Sequence, residues 1–227
     1  MLVLAIDTAL EACSAAVFDS ARDKVTAREE VPMARGHAEA LMPLIARVME
    51  AAALDFAQIG RIAVTTGPGS FTGLRVGIAA ARGLALASGK PVVGLTTLSA
   101  FAAPLISADL SKPVAAAIDA RHGHVYLQVF GDGARTLVTP RVIPIAEAAQ
   151  LSAGGAMRLI GNAAEALAAA WPSGKTLPVS VDQRAAPDIE WVARLGSILD
   201  ERAAQPKPFY LRAPDAQPQS ASHLARQ

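Results

Sequence analysis

The chain has 227 residues, 52% of them hydrophobic, and 21 lysines and arginines stand against 20 aspartates and glutamates. Folding a chain of this length hides roughly 70% of its unfolded surface. The balanced charge and 4% aromatic content argue against a protein that grips nucleic acid unaided, and the single cysteine, Cys13, excludes a disulfide framework and a multi-cysteine metal site and fits a reducing cytosol.

Residues 2–6 form an apolar run without alternation, the pattern of a strand covered on both faces. Asp7 follows at once and no basic segment precedes, which argues against a signal peptide. Strands are expected at 14–18 and 24–31, a helix at 38–53 and a strand at 61–66. The loop Gly67-Pro68-Gly69-Ser70-Phe71-Thr72-Gly73 leads into a helix at 74–88, with Gly89 placed to end it. Residues 91–108 carry no charge, yet their prolines and threonines split them into a strand at 91–94 and a helix at 97–106 rather than a membrane span. The polar segment 107–112 before Pro113 marks a domain boundary.

The second half restarts with a strand at 114–118 ending in Asp119. Strands at 125–130 and 135–138 flank a Gly131-Asp132-Gly133 turn. A short helix at 145–151, a strand at 158–160 and helices at 163–171 and 189–202 follow, the last capped by Asp188. Residues 209–212 read as a final strand and 213–227 as a polar, disordered tail. The domains expected are therefore 1–108 and 109–212. An echo links them: Ala5-Ile6-Asp7 recurs as Ala117-Ile118-Asp119, Val17-Phe18 as Val129-Phe130 and Pro32 as Pro144, all at one constant offset. Two similar α/β units follow, with Asp7 and Asp119 at equivalent strand ends, where such folds place ligands.

Two carboxylates facing each other there, Asp7 and Asp119, could hold a hydrated magnesium ion beside a nucleotide phosphate, with Thr8, Gly67, Gly69 and Ser70 nearby. The alternative is that both aspartates cap their own turns. The first turn, Thr8-Ala9-Leu10-Glu11-Ala12, has no glycine and the second only Gly123, so neither makes the usual phosphate cradle. The loop at 67–73 is not a P-loop, since Leu74-Arg75 follows where Lys-Ser/Thr belongs.

Two helices carry docking signals. Along 38–53 the apolar residues cover an arc of roughly 200°, about double one core face, so a partner surface is expected around His37, Leu41, Met42, Ile45, Ala46 and Met49. Along the next helix Gly73, Gly77, Ala81 and Ala85 make a small-residue stripe that would admit a close helix. Both features also have a plain reading, deeper burial of the first helix and packing of the second on its own sheet. No catalytic triad or metal cluster has local support.

The segments GPGSFTGLRVG, LAIDTALEACSAAVFD, RGHAEALMPLI, AAIDARHGHVYLQVF and FYLR together resemble the TsaB (YeaZ) family. The likeness spans everything before residue 213, thinnest between 137 and 206. It implies a duplicated actin/hexokinase-like fold (ASKHA, ribonuclease H-like) with two lobes, each a mixed sheet with flanking helices. It implies a cytoplasmic, non-catalytic subunit for threonylcarbamoylation of adenosine beside the anticodon of tRNAs reading ANN codons. The partners implied are TsaD, the ATPase TsaE and a second copy of the chain when alone, with tRNA met only through the complex. No cofactor of its own is implied, and ATP or ADP with magnesium would sit at the complex interface. The metal-binding histidine pair of TsaD aligns with Thr97 and Phe101, neither a transition-metal ligand. The competing expectation is an independent ATP-dependent kinase or hydrolase of the actin-like superfamily using Asp7 and Asp119.

Overall fold

The structure, a computed structural model, describes residues 1–212, so the expected tail lies outside the described residues. The first half runs β1 (Leu2–Asp7), β2 (Ala12–Asp19), β3 (Lys24–Pro32), α1 (His37–Ala51), β4 (Ile59–Gly67), α2 (Phe71–Ser88), β5 (Val92–Thr96) and α3 (Thr97–Ala108). The second repeats that order as β6 (Val114–Asp119), β7 (His124–Phe130), β8 (Thr136–Pro144), α4 (Ile145–Ser152), β9 (Arg158–Gly161), α5 (Ala164–Ala169), β10 (Ser180–Gln183) and α6 (Ile189–Ile198).

Each half makes one five-stranded mixed sheet, ordered β3-β2-β1-β4-β5 and β8-β7-β6-β9-β10. The first three strands of each half pair antiparallel and the remaining contacts are parallel. Order and sense agree strand for strand, which is the duplicated actin/hexokinase-like arrangement. The echo in the sequence is its trace, with Asp7 and Asp119 closing the central strands β1 and β6.

Helices cover both faces of each sheet, as the unbroken apolar strands require. On one face of the first sheet, α1 and α2 pack over Leu4, Ile6, Val17, Ile62 and Val64. On one face of the second, α4 and α5 cover Ala115, Leu127 and Leu159. The remaining faces are exchanged. Helix α6 buries Ile189, Val192 and Ala193 against Val3, Ala5, Phe18 and Ala63 of the first sheet. Helix α3 sends Leu98, Phe101 and Ala102 into Val114, Ala116 and Ile118 of the second. Each sheet lies wholly on one side of residues 108/109, yet the core of each lobe is closed by a helix from the other half of the chain. Fragment 1–108 should show no cooperative thermal transition by circular dichroism, and adding fragment 109–212 should restore one. Cooperative melting of 1–108 alone would contradict the exchange.

Several element ends differ from expectation for identifiable reasons. Helix α2 starts at Phe71 because Ser70 caps it, its hydroxyl oxygen accepting from the Gly73 N–H. Helix α6 stops at Ile198, where the Arg61 guanidinium donates to the carbonyls of Gly196, Ser197 and Leu199. Strand β8 runs on to Pro144, tolerating Pro140 and Pro144 as a sheet edge can. Residues 209–212 are not a strand; one backbone bond, from Phe209 N–H to the Thr66 carbonyl, holds them at the end of β4. Arg158, buried, fastens the link between halves by donating to the carbonyls of Leu105, Asp109 and Lys112.

Candidate functional site

The two lobes enclose a cleft of about 540 Å³ lined by Gly69, Ser70, Asp119, Arg121, Asn162 and Tyr210 among others. Asp119 is exposed there and accepts from the Arg121 N–H, so it caps its own turn. Asp7 does not reach the cleft. It is fully buried, with Oδ1 accepting from the Ala9 N–H and the Thr65 hydroxyl and Oδ2 left without a partner. Burial pushes its carboxyl up to about 6. The expected pair of facing carboxylates is therefore not formed.

The first turn is a plug rather than a cradle. The Thr8 hydroxyl donates to the Gly73 carbonyl (2.7 Å), and the Ser70 N–H donates to the Ala9 carbonyl (2.7 Å). A Cβ on Gly69 would overlap the Ala9 oxygen, and one on Gly73 the Thr8 oxygen. The backbone of the turn thus sits against the start of α2. Asp7 and Thr8 are buried and engaged within this turn, away from the cleft, while Gly69 and Ser70 line it. Thr97 and Phe101, aligned above with the metal pair, are buried in α3, with Phe101 inside the second sheet's core. Cys13 is buried as well, which raises its thiol to about 11 and keeps it unreactive.

The small-residue stripe is corrected too. Gly73, Gly77, Ala81 and Ala85 are all buried, facing the chain's own sheet and first turn. A Cβ on Gly77 would overlap the Thr8 hydroxyl. Gly77→Ala should cost about 3 kcal/mol by overpacking, read as a lowered urea midpoint at unchanged slope; an unchanged midpoint would show that the contact yields. Of the α1 candidates, His37, Leu41, Ile45 and Met49 also point inward, His37 with Nε2 at the Leu10 carbonyl (3.1 Å).

Two of the α1 candidates, Met42 and Ala46, do face outward. Ala38, Met42 and Ala46 recur every four residues along the exposed side of α1, Met42 47% exposed. Beside it, α2 exposes Ala79, Gly83, Ala87 and Leu86, the last 87% exposed, with Val76 and Ala80 half-buried among them. The outward face of α2 is thus not the one its glycine stripe suggests, because small residues line both sides. The signal available was charge: only Arg75 and Arg82 interrupt an apolar helix of 18 residues, too little polarity for a face left in water.

Residues 31–192 match the family model described as TsaD, tRNA N6-adenosine threonylcarbamoyltransferase. Over 126 residues the chain is 40% identical to the tRNA threonylcarbamoyladenosine biosynthesis protein TsaB of Escherichia coli K12, covering 56% of this chain and 53% of that protein. The match therefore spans about half the length of that relative. An uncharacterized protein of Mycobacterium tuberculosis H37Rv is 36% identical over 218 residues, covering 95% of this chain and 94% of its own. Among solved structures, YeaZ from Pseudomonas aeruginosa aligns with a TM-score of 0.78 at 27% identity, over 92% of this chain and 99% of that one. Among the described residues no helix is long and apolar enough to cross a membrane.

Proposed function

We infer the work of this chain from its kin: it belongs to the TsaB (YeaZ) family, within the group that the TsaD family model describes. Its role lies in tRNA threonylcarbamoyladenosine biosynthesis. Within that role we propose a non-catalytic, cytoplasmic subunit that docks TsaD on the outward strip of α1 and α2 and, through TsaD, the ATPase TsaE. The observation that carries this reading is the strip itself, since Leu86 and Met42 stand in water beside small residues that let a second helix approach closely. The burial of Asp7 away from the cleft supports the non-catalytic half of the reading. ATP or ADP with magnesium is then handled where the partners meet, and tRNA is met through them. A second copy would use the same strip when TsaD is absent.

The test is reconstitution. TsaD, TsaE and an unmodified tRNA should yield the modified base with this chain present, and at least about tenfold less without it. The chain alone with magnesium and ATP should release no phosphate above background. Modification independent of the chain, or steady turnover by the chain alone, would overturn the proposal.

A further inference from the structure

After α6 the chain returns as an extended segment, residues 204–212, which touches both lobes. At the edge of the first sheet the Gly94 N–H donates to the Ala204 carbonyl (2.8 Å). Farther on, the Phe209 N–H donates to the Thr66 carbonyl (2.7 Å) at the end of β4. Tyr210 then stacks on Phe71 of α2, ring centroids 5.2 Å apart, and its hydroxyl accepts from Arg75 Nε (3.2 Å). The Arg75 guanidinium closes the cluster, 3.7 Å above the Phe71 ring. On the far side of the cleft Arg212 donates to the Ala120 carbonyl (2.9 Å), in the turn after β6.

The first sheet is built to receive this segment. A Cβ on Gly94 would stand 2.5 Å from Thr66 Cγ2 in β4, 2.9 Å from the Gln205 carbonyl oxygen and 3.0 Å from Pro206 Cα, and one on Gly67 2.8 Å from the Phe209 carbonyl oxygen. Two glycines, one in β5 and one closing β4, thus make room for the same stretch of backbone, and Pro206 is buried where it passes. A loose terminal segment needs neither glycine nor an arginine reaching the opposite lobe.

We propose that residues 204–212 are a latch that fixes the angle between the lobes, anchored on the first lobe by Tyr210 and on the second by Arg212. The segment spans the mouth of the cleft, so lobe rotation must stretch or release it. Its anchor residues Phe71 and Arg75 lie within the first five residues of α2, and the latch acts whether or not that helix docks a partner.

The test is amide hydrogen exchange on the full chain, followed by mass spectrometry. Tyr210→Ala should speed exchange about tenfold at Gly94 and Phe209 and also in residues 120–124 of the second lobe, leaving β1 and β6 unchanged, which is the fold-change expected for losing one hydrogen bond and one ring contact. Gly94→Ala, whose methyl crowds Thr66 and the other end of the segment, should give the same pattern. Arg212→Ala should speed residues 120–124 while sparing Gly94. Faster exchange confined to 204–212 in all three variants would reduce the segment to a surface tail and overturn the latch. Unchanged exchange in all three would do the same.

Discussion

Under the docking proposed for α1 and α2, a chain carrying Leu86→Glu is expected not to associate with TsaD while folding as before. Leu86 is 87% exposed, so glutamate in its place meets only water in the free chain, and leucine and glutamate have similar helix propensities. The free protein should change in stability by less than about 0.5 kcal/mol. In the complex the same carboxylate would be buried against an apolar surface without a partner. Truncation of a central interface residue already costs about 2 kcal/mol or more, so affinity should fall by at least about 30-fold, and Met42→Glu should behave alike. Sedimentation velocity on mixtures of the two proteins reads the result. Gly77→Leu, which the glycine stripe suggests as a third interface variant, should also abolish association, but by unfolding the chain around Thr8. The thermal melts of the free variants separate the two causes. Normal association of both Leu86→Glu and Met42→Glu would remove the strip from consideration.

Asp7→Asn should make the protein more stable at pH 7, by about 2 kcal/mol from the linkage between proton binding and folding. Burial lifts the carboxyl from 3.8 to about 6, so between those pH values the folded chain keeps a proton that the unfolded chain releases. The stability tied to this group is present in full below about pH 4 and is lost as pH rises through 6, a loss of about 3 kcal/mol by pH 7. Asparagine keeps an oxygen for the Ala9 N–H and the Thr65 hydroxyl, but leaves its amide N–H unpaired where Oδ2 now stands, which takes back about 1 kcal/mol. Urea titrations of both proteins at pH 4 and pH 7 should show the gap open only at the higher pH. A variant less stable than the native chain at pH 7 would contradict the assignment. In an enzyme that used Asp7 to hold magnesium the substitution would be ruinous; here the reconstituted modification should survive it.

Most strands were legible from local period and glycine placement, and their doubling from the Ala-Ile-Asp echo; β10, four residues with three exposed, carries no such signal and was not expected. Helix α1 was legible within two residues at each end for the same reason. The destination of α6 was not, since its pattern demands a sheet without saying which one. The sidedness of α2 was also hidden: Gly77 and Gly83 are equally small, and only Thr8, distant in sequence, makes the first a packing necessity and leaves the second on the surface. Asp7 looks available for chemistry because a strand-end aspartate commonly is; that the turn after it folds back on Ser70 and Gly73 depends on contacts with a distant part of the chain.

The crossing of α3 and α6 bears on how the polypeptide matures during synthesis. Until Ile198 has left the ribosome, the face of the first sheet carrying Val3, Ala5 and Phe18 lacks its cover. At roughly 5–20 residues per second, the ~90 residues between α3 and the end of α6 leave that surface open for several seconds in the nascent chain. The uncovered apolar β-surface of the amino-terminal half is the kind that chaperones bind, and a stalled or truncated translation product should be prone to aggregate.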